Sequence, residues 1–215
     1  MKILFTASEC VPFVKTGGLA DVVGALAPVL AAQGHDVRVI LPLYSAIPQK
    51  WTEQLTHVCD FEVQLGWRRQ YCGIEKLEMN GVTWYFMDNK YYFGHPYIYG
   101  LGGDEYERFG FFCRGALNAL PLLDFQPDVI HAHDWQSGMV PALLKIQYAH
   151  LPFFAGIKTV FTIHNIQYQG RYGREILEYV LGIDDAHFRS GFMAMDGDVN
   201  LMKAAIVAST AVTTV

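Results

Sequence analysis

The sequence is short of clustered cations, of paired cysteines and of long apolar runs, and each shortage removes a class of function. Arg68-Arg69 is the one place where two cations stand side by side, in a chain of formal net charge −5, so no basic patch is offered to a nucleic acid. The cysteines Cys10, Cys59, Cys72 and Cys113 are scattered, with no Cys-x-x-Cys pair. That usage suits buried thiols in a reducing compartment rather than a secreted disulfide framework. Only Ile3-Leu4-Phe5 precede polar residues at the start, too few for a signal-peptide core, and no apolar run approaches the ~20 residues of a membrane span. The expectation is a soluble cytoplasmic protein with neither a membrane nor a nucleic acid as partner.

What is present is apolar material in short, regularly interrupted segments. A chain of 215 residues that is 52% hydrophobic can bury a substantial core as one α/β domain. Lys2 to Ser8 reads as a buried strand, residues 9–17 as a loop, and Leu19, Val22, Val23, Leu26 and Leu30 as one stripe of a helix. Pro28 is expected to kink that helix and Gly34 to cap it. Asp36 to Leu41 is a second strand, so the opening is a βαβ unit that seeds a parallel sheet.

Residues 57–87 carry three β-rich runs with turn signals at Gly66 and Asn80-Gly81, expected to form an antiparallel β-hairpin insertion. Residues 88–105, rich in Tyr and Gly, read as a long surface loop. Helices are expected near 105–120, 138–148, 174–181 and 198–208, with strands at 128–133, 157–163 and from Ala211. The fold class is therefore α/β, a Rossmann-like, mostly parallel sheet with helices on both faces. The last five residues have the composition of a central strand, and domains seldom stop there, so more polypeptide is expected beyond Val215.

The polar residues that carry chemistry fall where such a sheet gathers ligands, after the carboxyl ends of strands. Lys15-Thr16-Gly17-Gly18 lies between the first strand and the first helix. Glycines there allow close approach, and helix-terminal N–H groups with about half a positive charge favour a phosphate. The segment is neither Gly-x-Gly-x-x-Gly nor a Walker loop, so phosphate binding is as far as it leads, and an ordinary glycine-rich turn with a solvated lysine is the bland alternative. Asp21 is either a carboxylate favoured by the first helical turn or an acceptor for sugar hydroxyls.

His131-Ala132-His133-Asp134-Trp135 follows the strand at 128–133, with His131 and His133 on one face, and His164 follows the strand ending at Ile163. A metal-dependent hydrolase using His131, His133 and Asp134 is one reading, though no third histidine follows at local spacing; hydrogen-bonding or core histidines are the other. Asp196-Gly197-Asp198 looks like a metal-holding Asp-x-Asp, but an N-cap for the helix after it is simpler. The aromatics Tyr91-Tyr92-Phe93 and Tyr97 to Tyr99 could stack on sugars in a noncatalytic carbohydrate-binding domain, or simply pack in the core.

Taken in order, Lys15-Thr-Gly-Gly-Leu-Ala-Asp21, His131-Ala-His-Asp-Trp135 and Thr162-Ile-His-Asn-Ile-Gln-Tyr-Gln-Gly170 resemble the bacterial glycogen synthases and starch synthases of glycosyltransferase family 5. Ser8-Glu9-x-x-Pro12 and Leu201-Met-Lys-Ala-Ala-Ile206 extend the resemblance along the whole chain. It implies residues 1–215 as the N-terminal, acceptor-side domain of a two-domain GT-B enzyme whose C-terminal nucleotide-binding domain lies outside this chain. The implied reaction is retaining transfer of glucose from ADP-glucose to the nonreducing end of glycogen or another α-1,4-glucan, with no cofactor and no metal. It further implies that Lys15, Gly17 and Gly18 meet the donor phosphates, that Asp21, Tyr97 and His133 bind sugar, and that His164 and Asp134 are catalytic. The chain alone is then expected to be inactive.

Overall fold

The computed structural model describes residues 1–100 and 105–215. The strands are β1 (Lys2–Thr6), β2 (Asp36–Pro42), β3 (Thr56–Leu65), β4 (Arg68–Met79), β5 (Val82–Asp88), β6 (Val129–His133), β7 (Lys158–Ile163), β8 (Arg171–Tyr172), β9 (Ala194–Met195), β10 (Asp198–Asn200) and β11 (Ala211–Thr214). Eight of them form one sheet in the order β11-β7-β6-β1-β2-β5-β4-β3, and β8-β10-β9 form a small second sheet. From β11 to β5 every neighbouring pair is parallel.

The helices are α1 (Gly18–Ala32), α2 (Gln49–Thr52), α3 (Lys90–Phe93), α4 (Glu105–Leu122), α5 (Asp134–Leu143), α6 (Ala186–Arg189) and α7 (Leu201–Ala208). The β1-α1-β2 crossover steps one way along the sheet, whereas β6-α5-β7 and β7-α7-β11 step the other way. Right-handed crossovers therefore place α1 on one face and α5 and α7 on the opposite face. The step changes direction between β1 and β6, and a crevice opens outside the carboxyl ends of strands at such a switch. Phe5 of β1 sits in this centre with no exposed surface, a burial worth ~1.5–3 kcal/mol.

Several expectations need adjustment. The third β-rich run pairs antiparallel with β4 as expected, but it is not confined to an insertion: its other edge joins β2 in parallel, so β5 belongs to the central sheet and β3 and β4 extend it. The reason is burial, because Val82 and Trp84 to Met87 are all buried, as a central parallel strand requires, while β3 alternates toward solvent. The turn between β4 and β5 is as expected, with Asn80 and Gly81 both at positive φ, 55° and 73°. Pro28 lies inside α1 without ending it, and Gly34 adopts φ 87° just beyond the helix.

The stretch 88–105 is not a plain surface loop. The Asn89 side chain accepts from Tyr92 N at 3.0 Å, capping α3, and Tyr92, Phe93 and Ile98 are buried. Buried Arg108 of α4 donates Nε to the Tyr92 carbonyl at 2.7 Å and an Nη to that of Ile98 at 3.2 Å, tying the segment down. Aromatic side chains spaced along an aperiodic stretch found the core without a helical or strand period. Residues 101–104 of that stretch lie outside the described residues.

Two helix starts also move. α5 begins at Asp134, directly after β6, and passes at Leu144–Tyr148 into a π-helical turn. Residues 174–181 hold a second π-helical turn, Leu177–Leu181, in place of a full helix. The last long helix is capped by Asn200, whose side chain accepts from Lys203 N at 2.8 Å, and not by Asp198. Asp196 and Gly197, at φ 53° and 89°, instead make the turn that joins β9 to β10. Of the cysteines, Cys10, Cys72 and Cys113 are buried thiols, whereas Cys59 is partly exposed.

Candidate functional site

A cavity of about 910 Å³ opens at the carboxyl edge of β1, β6 and β7. Four stretches supply most of its wall, Glu9 with Thr16 to Leu19, Tyr99-Gly100, Asp134 to Gln136, and residues 164–172 less Ile166, with Val22, Glu105 and Val215 completing it. The strand register explains why they meet. β1 pairs Thr6 with Ala132 of β6, and β6 pairs His133 with Thr162 of β7, so the residues that follow each strand emerge side by side.

The loop after β1 is organised by Glu9. Its carboxylate is buried and accepts from the Thr16 backbone N–H and from Thr16 Oγ1 at 2.8 Å. Burial pushes its pKa up, against the Thr16 and Gly17 hydrogen bonds that stabilise the anion. Gly17 then caps α1 with φ −147° and no side-chain hydrogen bond, leaving the helix end to the cavity. Lys15 and Asp21 stand just outside the lining, joined to each other at 2.6 Å with about half of each side chain exposed.

After β6 the chain turns abruptly. Asp134 takes a left-handed conformation at φ 55°, which lets α5 start within one residue of the strand. The Asp134 carboxylate, thus turned, accepts from the backbone N–H of His164 at 2.8 Å and of Asn165 at 3.3 Å. Burial raises the Asp134 pKa, opposed by these two hydrogen bonds and by the His164 ring. Burial also lowers the pKa of His164, against the pull of Asp134, so the imidazole in the cavity wall is held toward its neutral form.

Behind His164 lies a stack of rings. His133 is fully buried, with its Nδ1 2.9 Å from Nε2 of His164. It stacks on His131 at 4.2 Å and on Phe5 at 5.5 Å between centroids. Burial holds His133 well below the ordinary histidine pKa and His131 down to about 4. Nε2 of His131 lies 2.6 Å from Thr162 Oγ1. One nitrogen of each ring faces a neighbouring imidazole or Thr162, and among the described residues no three His, Cys, Asp or Glu side chains are placed to hold a metal ion.

Of the residues expected in the site, Gly17, Gly18, Asp134 and His164 line the cavity, His133 supports it from behind, and Lys15 and Asp21 flank it. Tyr97 is 64% exposed and is not part of the wall. Tyr99 is, and its hydroxyl lies 2.6 Å from Ser8 Oγ. Sequence reading offered Tyr99 only as one of several aromatics that could stack on sugar, and passed over Glu9, Trp135 and Tyr172 as site residues. The one available signal was Glu9 itself, a lone acid placed directly ahead of the glycine loop. Trp135 packs edge-on against Phe109 and tilts against Tyr172, so packed aromatic rings back this side of the cavity. Gly170 crosses Trp135 so closely, at φ 63°, that a Cβ there would lie 2.6 Å from the indole.

A family model described as the starch synthase catalytic domain matches residues 2–215. The chain is 53% identical over 215 residues to the glycogen synthase of Anoxybacillus flavithermus, covering all of this chain and 44% of that protein. To the glycogen synthase of Geobacillus stearothermophilus it is 52% identical, with the same coverage. Among solved structures, the catalytic domain of starch synthase IV from Arabidopsis thaliana, bound to ADP and acarbose, superposes with a TM-score of 0.89 at 29% identity. That match covers 99% of this chain and 44% of the Arabidopsis chain. The chain thus spans less than half the length of the relatives it matches.

Proposed function

Because this chain belongs to the starch synthase catalytic-domain family, we propose that it forms the acceptor-side wall of a retaining glucosyltransferase, a glycogen synthase. The reaction is transfer of glucose from ADP-glucose to the nonreducing end of an α-1,4-glucan, in the cytoplasm. One observation carries the reading: the segments after β1, β6 and β7 converge on a single cavity at the switch point of the sheet. The ADP and acarbose of the Arabidopsis structure, a nucleotide and a glucan-like sugar, are the ligand types such a wall suits. The matching relatives are more than twice as long, which leaves room for the second, nucleotide-binding domain of a GT-B enzyme.

Departure of ADP leaves an oxocarbenium-like sugar, so the site must stabilise the phosphate charge as it develops. The amino end of α1 at Gly17-Gly18 supplies part of that, and Lys15 a full charge once a phosphate competes with Asp21 for it. The leaving phosphate takes the proton of the acceptor hydroxyl on the same face of the sugar. Neutral His164 bonds a hydroxyl of the transferred glucose, and Asp134 holds the His164 backbone in place. Closure of a second domain over the cavity excludes the water that would hydrolyse the donor. No metal or cofactor is needed in this scheme.

The test is incorporation of labelled glucose from ADP-glucose into glycogen by the full-length protein. Chain extension with retained α-configuration supports the reading. Glycogen binding with no transfer from any nucleotide-glucose would replace it with the noncatalytic carbohydrate-binding alternative.

A further inference from the structure

The function above gives His133 no contact with substrate, yet its surroundings are unusually well defined. The side chain is fully buried, and its backbone is clamped by one residue. His133 N donates to Ser137 Oγ at 2.6 Å, and Ser137 Oγ approaches the His133 carbonyl at 2.7 Å. The ring packs against both Phe5 and His131, with Nδ1 facing Nε2 of His164 at 2.9 Å. Its other nitrogen, Nε2, is buried and has no hydrogen-bond partner among the described residues.

That unpartnered nitrogen decides which way the shared hydrogen points. Two neutral imidazoles in contact share one N–H, and each ring has one donor and one acceptor. If His164 Nε2 carried the hydrogen, His133 would carry its own on Nε2, stranding a buried N–H. If His133 Nδ1 carries it, only a lone pair is left unmatched. Orphaned buried N–H groups are the rarer and costlier case. A shared positive charge is disfavoured as well, since Phe5 and a second imidazole flank the ring and no carboxylate bonds it.

We infer that His133 is a positioning residue: its Nδ1–H donates to Nε2 of His164, fixing His164 in the Nδ1-protonated tautomer. His164 then presents a hydrogen-bond donor, not an acceptor, to the sugar in the cavity. Consecutive residues share the task, Asp134 holding the His164 backbone and His133 its ring. The kinetic consequence rests on the transferase reading; the tautomer does not.

Two measurements test this. Nitrogen-15 NMR of histidine-labelled full-length protein, assigned through single substitutions, reads the tautomers directly and needs no substrate. Expected is a protonated Nδ1 with a bare Nε2 on both His133 and His164. A proton on Nε2 of either ring, or a cationic ring at neutral pH, overturns the inference. The second compares His133→Asn, which can still donate from near the Nδ1 position, with His133→Leu, which cannot. Expected is a kcat near wild type for the first and lower by up to about 100-fold for the second, with the KM for glucan little changed. Equal kcat in the two variants at matched melting temperature overturns it. A protein in which even wild type transfers no glucose refutes the transferase instead, and the NMR result stands by itself.

Discussion

Replacing Asp134 by Asn and by Ala separates its backbone strain from its hydrogen bonding. The residue sits at φ 55°, a region Asn enters readily and Ala enters at a cost of about 1–2 kcal/mol. Asn can keep an oxygen toward the backbone N–H groups of His164 and Asn165, now at 2.8 and 3.3 Å from the carboxylate. Ala leaves the nearer one without a partner, at about 1–3 kcal/mol. Asp134→Ala should therefore be less stable than Asp134→Asn by about 2–5 kcal/mol, a gap of roughly 10 °C in melting temperature for a domain of this size. The Asn variant adds a pH signature. Burial raises the Asp134 pKa, so the folded state binds this proton more tightly than the unfolded state. Stability from that proton is full below the unfolded carboxylate value and is lost as pH rises through the folded one. Asp134→Asn should thus gain on wild type as pH rises out of the acid range. Calorimetric melts of the full-length variants across pH measure both effects. Melting curves that coincide for Asn and Ala would refute the account of this turn.

Further outcomes follow from other parts of the site. Lys15→Ala should lower glucose transfer from ADP-glucose by on the order of 10–100-fold, because a full charge near the departing phosphate is lost; unchanged steady-state rates would favour a sugar-binding role alone. Gly170→Ala places a Cβ 2.6 Å from Trp135 at φ 63° and should cost roughly 2 kcal/mol or more, read as a lower midpoint in urea. The His131 pKa is down at about 4, so between there and the ordinary histidine value the unfolded state binds more protons. Folding stability should fall as pH drops through that window, by up to about 3 kcal/mol from this residue, and His131→Asn should flatten the dependence in urea titrations at pH 7 and 4.5.

The fold was legible where periodicity is local. β1, α1 and β2 follow from their apolar spacing, and β6 and β7 from apolar runs that turn polar at the carboxyl end. Those same ends make Asp134 and His164 visible as neighbours in the sequence pattern alone. What stayed hidden depends on contacts distant in sequence. The parallel placement of β5 is set by burial against β2, which no run of seven residues declares. Tyr97 and Tyr99 look alike in the sequence, and contacts with Ser8 and Phe109, distant in the chain, are what set Tyr99 in the wall. Glu9 reaches the cavity wall through Thr16, seven positions away, and His133 lies fully buried behind His164. Asn200 took the cap from Asp198 because Asp196 and Gly197 were needed for a turn.

The central claim is that glucose is transferred in the cavity at the ends of β1, β6 and β7. It is tested most directly by His164→Ala in the full-length protein, assayed for transfer of labelled glucose from ADP-glucose to glycogen. The predicted result is a loss in kcat of at least about 100-fold in a variant that is still folded at the assay temperature, with only the modest drop in melting temperature expected from leaving the His133 N–H without its partner. Wild-type kcat in that variant would contradict the claim and place the reaction elsewhere.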